Sequence, residues 1–556
     1  MATDLTPESP ARTGEYTHAQ VLTILSGLML GMFLGSLDQT IVSTSIRTIA
    51  DDLQGLSVQA WVTTAYLIAS TITTPIYGKL GDLYGRKKLF MFAITVFVIG
   101  SALCSFATSM YQLAAFRAFQ GLGAGGLFTL VLAIIGDIVS PRERARYSGY
   151  FMAMFGTSSV LGPVIGGFFA GRSELLFMSG WRWVFLVNVP IGIAALVVVA
   201  RTLHVHHNPP TRRVRIDWWG AASLTLGLVP LLTVAEQGRE WGWGSGRSLA
   251  CFAIGAIGLV AFVLVERAMG DDALIPLRIF RIRAAAITIA ASIVVGSAMF
   301  GGIMLLPLYM QIVHGASPTE SGFLMLPLVV GLMIASIVSG RLISRTGVVR
   351  PIPIVGTALV TVGLVLLSFI TADTALPLVM GAMFVLGIGL GNCMQPLLLI
   401  VQSSVPPTEI GVATSSSTFF RQIGGTLGVA VFLSLLFSTV GDNIKNAIAQ
   451  ASTTPAWQQA TAGGQGLDPK LAQQVQNDSS VIETLNPVIA HPFKVGFAES
   501  MSTVFLCAAA VSVVAFVIVW FMPNVKLRDT SASAARAGSA GGAPTAADGV
   551  PAAPQD

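Results

Sequence analysis

Apolar runs of roughly twenty residues recur along the chain from residue 21 to residue 522. At about 1.5 Å of rise per helical residue, each run is long enough to cross roughly 30 Å of hydrocarbon. Their continuity favours helices over a barrel, whose strands would read as ten-residue alternations. Charged residues make up only 11% of the 556 and hydrophobic ones 53%, whereas a soluble domain carries about 25% charge. The chain therefore reads as an all-α integral membrane protein with fourteen transmembrane helices.

Residues 1–17, "MATDLTPESPARTGEYT", lack the basic start and short apolar core of a cleavable signal, so the first span is expected to direct insertion. With a cytoplasmic N-terminus, the inside connections hold Lys79, Arg86, Lys87 and Lys88, then Arg142, Arg144 and Arg146, and further arginines in the later loops. Together with both tails they take about 22 of the 32 basic residues, against about 8 outside, which fits both termini on the cytoplasmic side. The net charge of +5 then reflects topology and not nucleic-acid binding. Cys104, Cys251, Cys393 and Cys507 form no metal or redox spacing. The exposed "LHVHHN" at 203–208 is followed by prolines and basic residues and is read as a loop, and no metal is expected.

An internal repeat organises the runs. "GKLGDLYGRKK" at 78–88 recurs as "GRLISRTGVVR" at 340–350, with Gly78, Leu80 and Gly85 matched by Gly340, Leu342 and Gly347. "QGLGAG" at 120–125 is echoed by "LGIGLG" at 386–391. Two six-helix halves, 18–202 and 285–525, are expected to flank two inserted helices within 203–284, with disordered cytoplasmic tails at 1–17 and 526–556. Residues 440–496 are expected to form a long outside loop, with a helical piece at "DPKLAQQVQ", serving as a solvated cap or as a docking surface for an outside partner.

Clear ionisable residues inside the spans are few: Asp38, Arg117 and Arg421. Each is expensive against lipid, so each is expected to face a cavity or a partner. Burial disfavours the charged form of a carboxylate, and a titratable carboxylate in a cavity is what proton coupling requires. Arg117 opens "RAFQGLGAGG"; a guanidinium keeps its proton and acts as a fixed charge. Gly121, Gly123 and Gly126 spell GxGxxG, but no strand precedes them, which excludes a dinucleotide fingerprint. "FGTSSVLGPVIGG" at 155–167 sets Gly156, Gly162, Pro163, Gly166 and Gly167 on one span, a pattern for close helix crossing and a bend. In the 78–88 loop, Asp82 and Arg86 are placed to pair at helix ends as a conformational latch. No hydrolase elbow, P-loop or HExxH is present, and no enzyme activity is expected.

These motifs resemble the fourteen-helix drug:proton antiporter branch of the major facilitator superfamily, over about residues 18–525. "LDQTIVSTSI" is similar to the branch's LDxTIVNVAL, "GKLGDLYGRKK" to the superfamily loop, "RAFQGLGAG" to RxxQGxGA and "GPVIGG" to GPxxGG; "WRWVFLVNVPIG" at 181–192 fits as well. The resemblance implies a proton-linked role for Asp38 assisted by Arg117, an inside latch at Gly78, Asp82, Gly85 and Arg86, and a hinge at Gly156, Gly162, Pro163, Gly166 and Gly167. Departures are Leu83 where a basic residue is usual, and Ser344 and Val348 at the second-loop positions of Asp82 and Arg86. No acidic residue lies between Gly322 and Gly340, which argues against dicationic substrates.

The expectation is proton-coupled export of lipophilic, drug-like compounds across a bacterial cytoplasmic membrane by a monomer in contact with lipid, with a proton gradient as energy source and no cofactor. Export of an endogenous lipid, peptide or secondary metabolite is the alternative. Gln39, Trp61, Tyr66, Phe300, Met304, Tyr309, Gln395, Phe419 and Arg421 are the candidate walls of the substrate cavity.

Overall fold

The apolar runs fold as helices whose ends are set by ordinary capping residues. In the computed structural model, which describes residues 18–54, 59–203, 216–461, 485–525 and 527, α1 spans His18–Asp52, α2 Gln59–Tyr84, α3 Arg86–Ser105, α4 Met110–Ile138 and α5 Pro141–Ala170. After a two-stranded ribbon, β1 Glu174–Leu175 with β2 Met178–Ser179, come α6 Arg182–Leu186, α7 Asn188–Thr202, α8 Trp218–Trp241 and α9 Gly246–Met269. The second half holds α10 Arg283–Ile312, α11 Pro318–Leu324, α12 Leu326–Thr346, α13 Pro351–Ser368, α14 Leu376–Ser403, α15 Ile410–Ser452, α16 Pro455–Thr461 and α17 Pro487–Trp520. Ser109, Ser140, Asp217 and Ser245 cap α4, α5, α8 and α9, each side chain accepting from a backbone N–H of the first turn. The interruptions between α6 and α7 and between α11 and α12 each fall three residues or fewer before a proline, Pro190 and Pro327, whose missing N–H breaks the ladder.

Thirteen of the helical segments among the described residues are long and apolar enough to cross a membrane. The remaining predicted span is α2, whose Thr, Ser and Tyr residues lower its hydropathy and whose neighbours α4 and α15 bury it. On α9, Leu249, Ile257, Val260, Val263 and Leu264 stay exposed, as expected of a face turned to lipid.

The repeat seen in the sequence governs the packing. In the first half α4 packs against α2 and α3, and α1 against α5 and α7; in the second half α14 packs against α12 and α13, and α10 against α15 and α17. The halves meet along two equivalent seams, α2 with α15 and α5 with α12. Close approach needs small residues: a Cβ on Gly121 would come within 2.6 Å of the Tyr66 carbonyl, and one on Gly123 within 2.5 Å of the Ala93 carbonyl. The inserted pair α8 and α9 crosses at Gly227 and Gly258, and Leu224, Leu228 and Leu232 of α8 pack with Ile68 and Ile72 of α2 and with Phe419 of α15.

One expectation needs correction. Residues 440–452 and 487–496 are not loop: α15 continues to Ser452 and α17 begins at Pro487. Polar residues mask a buried stripe, Val440, Ile444 and Ala447 at helical spacing, which packs on Ile489, Phe493 and Phe497 of α17. At 43 residues α15 is roughly 65 Å long, about twice the hydrocarbon thickness, so this part forms a cap beyond the membrane. The piece at 468–476, the histidines 204–207 and the tails 1–17 and 528–556 lie outside the described residues.

Candidate functional site

Asp38 lies on the face of α1 that turns into the first half, and its carboxylate is fully buried. One oxygen accepts from Arg117 Nη1 at 2.6 Å; the other accepts from Gln120 Nε2 at 2.9 Å and from Asn188 Nδ2 at 2.8 Å. Arg117 and Gln120 stand three residues apart on α4 and so share a face, and Arg117 Nη1 also donates to Gln120 Oε1 at 2.8 Å. Asn188, at the start of α7, donates further to Ser101 Oγ at 3.0 Å, and Ser101 donates to the Phe185 carbonyl at 2.9 Å. The guanidinium carbon of Arg117 sits 4.0 Å from the centre of the Tyr66 ring.

Removing two charges from water costs several kcal/mol per ion, and the pair persists only because further hydrogen bonds satisfy the remaining lone pairs. Satisfaction is nonetheless incomplete: among the described residues, Arg117 Nε, Asn188 Oδ1 and the Tyr66 hydroxyl are buried without a formed hydrogen bond, although Gln39 lies beside that hydroxyl. A polar network short of partners in one charge state has room for a second arrangement when a proton is added. Asp38 and Arg117 stand out in the sequence as isolated charges. Gln120 and Asn188 were not singled out, though an amide inside the apolar run "VFLVNVPIG" is the same kind of signal.

Two residues flanking Asp38 on α1 tie it to α5. The hydroxyls of Ser36 and Ser158 share a 2.5 Å hydrogen bond, and Thr40 donates to the Ser158 carbonyl at 3.0 Å. A Cβ on Gly162 would overlap the Thr40 side chain, and one on Gly166 would lie 2.9 Å from the Ile41 carbonyl. Gly156 and Pro163 turn the other way: Gly156 admits Val329 of α12, and Pro163 lies against Gly322 of α11. Gly167 is exposed, with Thr319 Oγ1 as the nearest atom at 3.8 Å from an added Cβ. Helix α5 remains continuous through Pro163.

At the 78–88 end, Asp82 accepts from Arg86 Nη2 at 2.6 Å and, across the seam, from the backbone N–H of Val412 at 3.0 Å. Arg86 also pairs with Asp137 of α4 at 2.9 Å and donates to the Ala133 carbonyl. Gly78 admits Ser415 of α15, and Gly85 holds φ +91°, a conformation that side chains rarely adopt. Asp137 was missed in the sequence. A second layer joins the halves here: Arg144 donates to Gln402, which donates to Thr414 Oγ1 at 2.7 Å and to the Leu132 carbonyl at 3.4 Å. At the other seam Ser344 and Val348 stand where Asp82 and Arg86 would be, so the charged pair is not repeated at those two positions.

The candidate cavity residues divide. Gln39 is exposed, and Trp61, Phe300 and Arg421 are partly so; Gln395 is 9% exposed. Tyr66 is buried against Arg117. Tyr309 and Phe419 are corrections: Tyr309 donates its hydroxyl to the Thr371 carbonyl at 2.8 Å, and Phe419 packs among the leucines of α8. Both are core residues, because an aromatic ring in an apolar helix serves packing and cavity walls equally well. The Met304 side chain lies outside the described residues.

The sequence profile of the Major Facilitator Superfamily matches residues 28–429. "Multidrug transporter protein MdtP" of Bacillus subtilis (strain 168) is 36% identical over 420 residues, covering 75% of this chain and 76% of the relative. "Multidrug resistance protein 3" of the same organism is 32% identical over 518 residues, covering 92% and 97%. Among solved structures, the proton:xylose symporter XylE bound to 6-bromo-6-deoxy-D-glucose aligns with a TM-score of 0.58 over 94% of this chain and 99% of that one. At 14% identity, that likeness speaks to the fold.

Proposed function

This chain belongs to the Major Facilitator Superfamily, and on that premise we propose that it exports lipophilic, drug-like compounds in exchange for protons, by alternating access across the cytoplasmic membrane. Membership makes it a multi-pass membrane transporter of small molecules and not an enzyme. Neutral or singly charged compounds are the proposed cargo, both termini are cytoplasmic, and the working unit is the monomer in contact with lipid.

The observation that carries proton coupling is the buried Asp38–Arg117 pair. Adding a proton to Asp38 discharges it, weakens its pairing with Arg117 and turns one of its two accepting oxygens into a donor, so the donors on α4 and α7 must rearrange around α1. Ser36 and Thr40 sit two residues either side of Asp38 and bind Ser158 of α5, and α5 packs on α12 of the other half. A change at Asp38 therefore reaches the seam between the halves through one helix. The Asp82–Val412 contact favours the state closed at the 78–88 end. Proton and substrate then favour opposite facings, and each shifts the equilibrium by its differential affinity.

One charge crossing 100 mV supplies about 2.3 kcal/mol, and about 1.4 kcal/mol is tenfold, so one proton sustains roughly a fortyfold gradient of a neutral compound. The test is dye movement in inside-out vesicles. An imposed proton gradient should drive uptake of a lipophilic dye by the wild type and none by Asp38→Asn. Gradient-driven uptake that survives Asp38→Asn contradicts the proposal.

A further inference from the structure

Asp38 is matched by Arg117, but Arg421 is matched by nothing: among the described residues it has no carboxylate, hydrogen-bond or ring partner. It lies eleven residues into α15, roughly 16 Å above the end of the helix that joins the halves, which is about mid-membrane. Its stem is fixed, since a Cβ on Gly296 of α10 would meet Arg421 Cγ at 3.0 Å and would overlap its carbonyl. Its head is not sealed: the residue is partly exposed, and among the described residues no nitrogen of Arg421 is a buried atom without a partner, unlike Nε of Arg117.

Helical geometry says which way the head faces. Thr414 lies two turns below Arg421 on the same face of α15, and Thr414 binds Gln402 of α14. Gln395 lies two turns before Gln402 on the same face of the antiparallel α14. Above the closed Gln402–Thr414 layer, Arg421 and Gln395 therefore look toward one another, and Gln395 also makes no side-chain hydrogen bond among the described residues. One turn farther along α15, Gly425 gives room to the Phe300 ring of α10. The arrangement is a fixed cation, an amide and an aromatic ring above the Gln402–Thr414 contact. Holding an uncompensated cation at this depth is costly, and an anion arriving with the substrate removes that cost.

We infer that the substrate carries an anionic group, a carboxylate, sulfonate or phosphate, that docks on Arg421 with Gln395 as second donor while its apolar body lies against Phe300. This deepens the export reading and rests on it. A monoanion leaving as one proton enters moves two charges, so 100 mV sustains roughly the square of the fortyfold gradient available to a neutral compound.

The test uses three probes with one fluorophore: dansylglycine, an anion; its methyl ester, neutral; and dansylcadaverine, a cation. Full-length protein in proteoliposomes should move dansylglycine at least tenfold faster than dansylcadaverine under a proton gradient. Arg421→Gln should cut dansylglycine transport tenfold or more and ester transport by a several-fold smaller factor, with Arg421→Lys retaining part of the anion rate. Dansylglycine should also raise the melting temperature of the wild type more than its ester does, a readout that needs no variant. Equal or better transport of the cation, equal loss of all probes in Arg421→Gln, or equal thermal shifts by acid and ester overturns the inference while export stands. If the wild type moves none of the three, the export reading fails and takes the inference with it.

Discussion

Asp82 at the end of α2 accepts a hydrogen bond from the backbone N–H of Val412, 3.0 Å away in the first turn of α15, so a carboxylate of one half caps a helix of the other. The residue at the helix's own N-cap position, Glu409, makes no capping bond. A helix N-terminus carries partial positive charge and unpaired N–H groups, and losing a cap costs about 0.5–2 kcal/mol. Asp82→Ala should therefore shift the protein away from the state closed at this end by up to about thirtyfold. A cysteine at Ser415, which the closed seam presses against Gly78, reports it in a background with the four native cysteines replaced. Maleimide labelling from the 78–88 side should rise several-fold in Asp82→Ala, and unchanged labelling counts against the latch.

The two α5 glycines Gly162 and Gly167 should respond differently to the same substitution. Gly162→Ala drives a methyl into Thr40, and overpacking of this kind costs about 1–3 kcal/mol. Thr40→Ala should not rescue it, because the Thr40 Cβ is itself in the way. Gly167→Ala finds its nearest neighbour at 3.8 Å and should melt and transport like the wild type. Thermal melting of purified protein separates the two, and equal behaviour contradicts the α1–α5 seam described here.

How much of this was legible beforehand depends on the kind of signal. Repeated apolar runs dictate the helices, and the recurring 78–88 and 340–350 loops foretell the paired packing of the halves. Asp38 and Arg117 stand out because charge in hydrocarbon is rare. Amides and hydroxyls such as Asn188, Gln120 and Ser101 are common enough in spans that their side of the helix decides their role, and one sequence does not give the side. The same ambiguity turned Tyr309 and Phe419 into expected cavity walls. The α15 extension was obscured because its buried residues, Val440, Ile444 and Ala447, are diluted by polar ones.

Gly85 and Gly347, matched in the sequence repeat, both hold positive φ, +91° and +71°. Gly347 sits in the left-handed helical region with nothing within 4 Å of an added Cβ, a place Asn tolerates. Gly85, with ψ near 129°, does not. Gly85→Asn should destabilise by about 1–3 kcal/mol and Gly347→Asn by less than about 1 kcal/mol, as read from melting temperatures. The reverse order contradicts the assigned backbone.

Asn188→Ala should remove one of the three donors to Asp38 and cost about 1–3 kcal/mol, because the carboxylate is left short of a partner in a buried site. Asn188→Asp should be worse, since it sets a second negative charge against the first. Melting curves of the two variants give the ranking, and a wild-type melting temperature in Asn188→Asp is incompatible with the contact.

The claim that matters most is that Asp38 exchanges a proton against substrate. Purified protein in weakly buffered detergent solution with a pH-indicating dye measures this without a membrane. Adding a transported compound to the wild type should release protons in saturable proportion to protein, and Asp38→Asn, still folded and still binding, should release none. Proton release of wild-type size from Asp38→Asn would contradict the account.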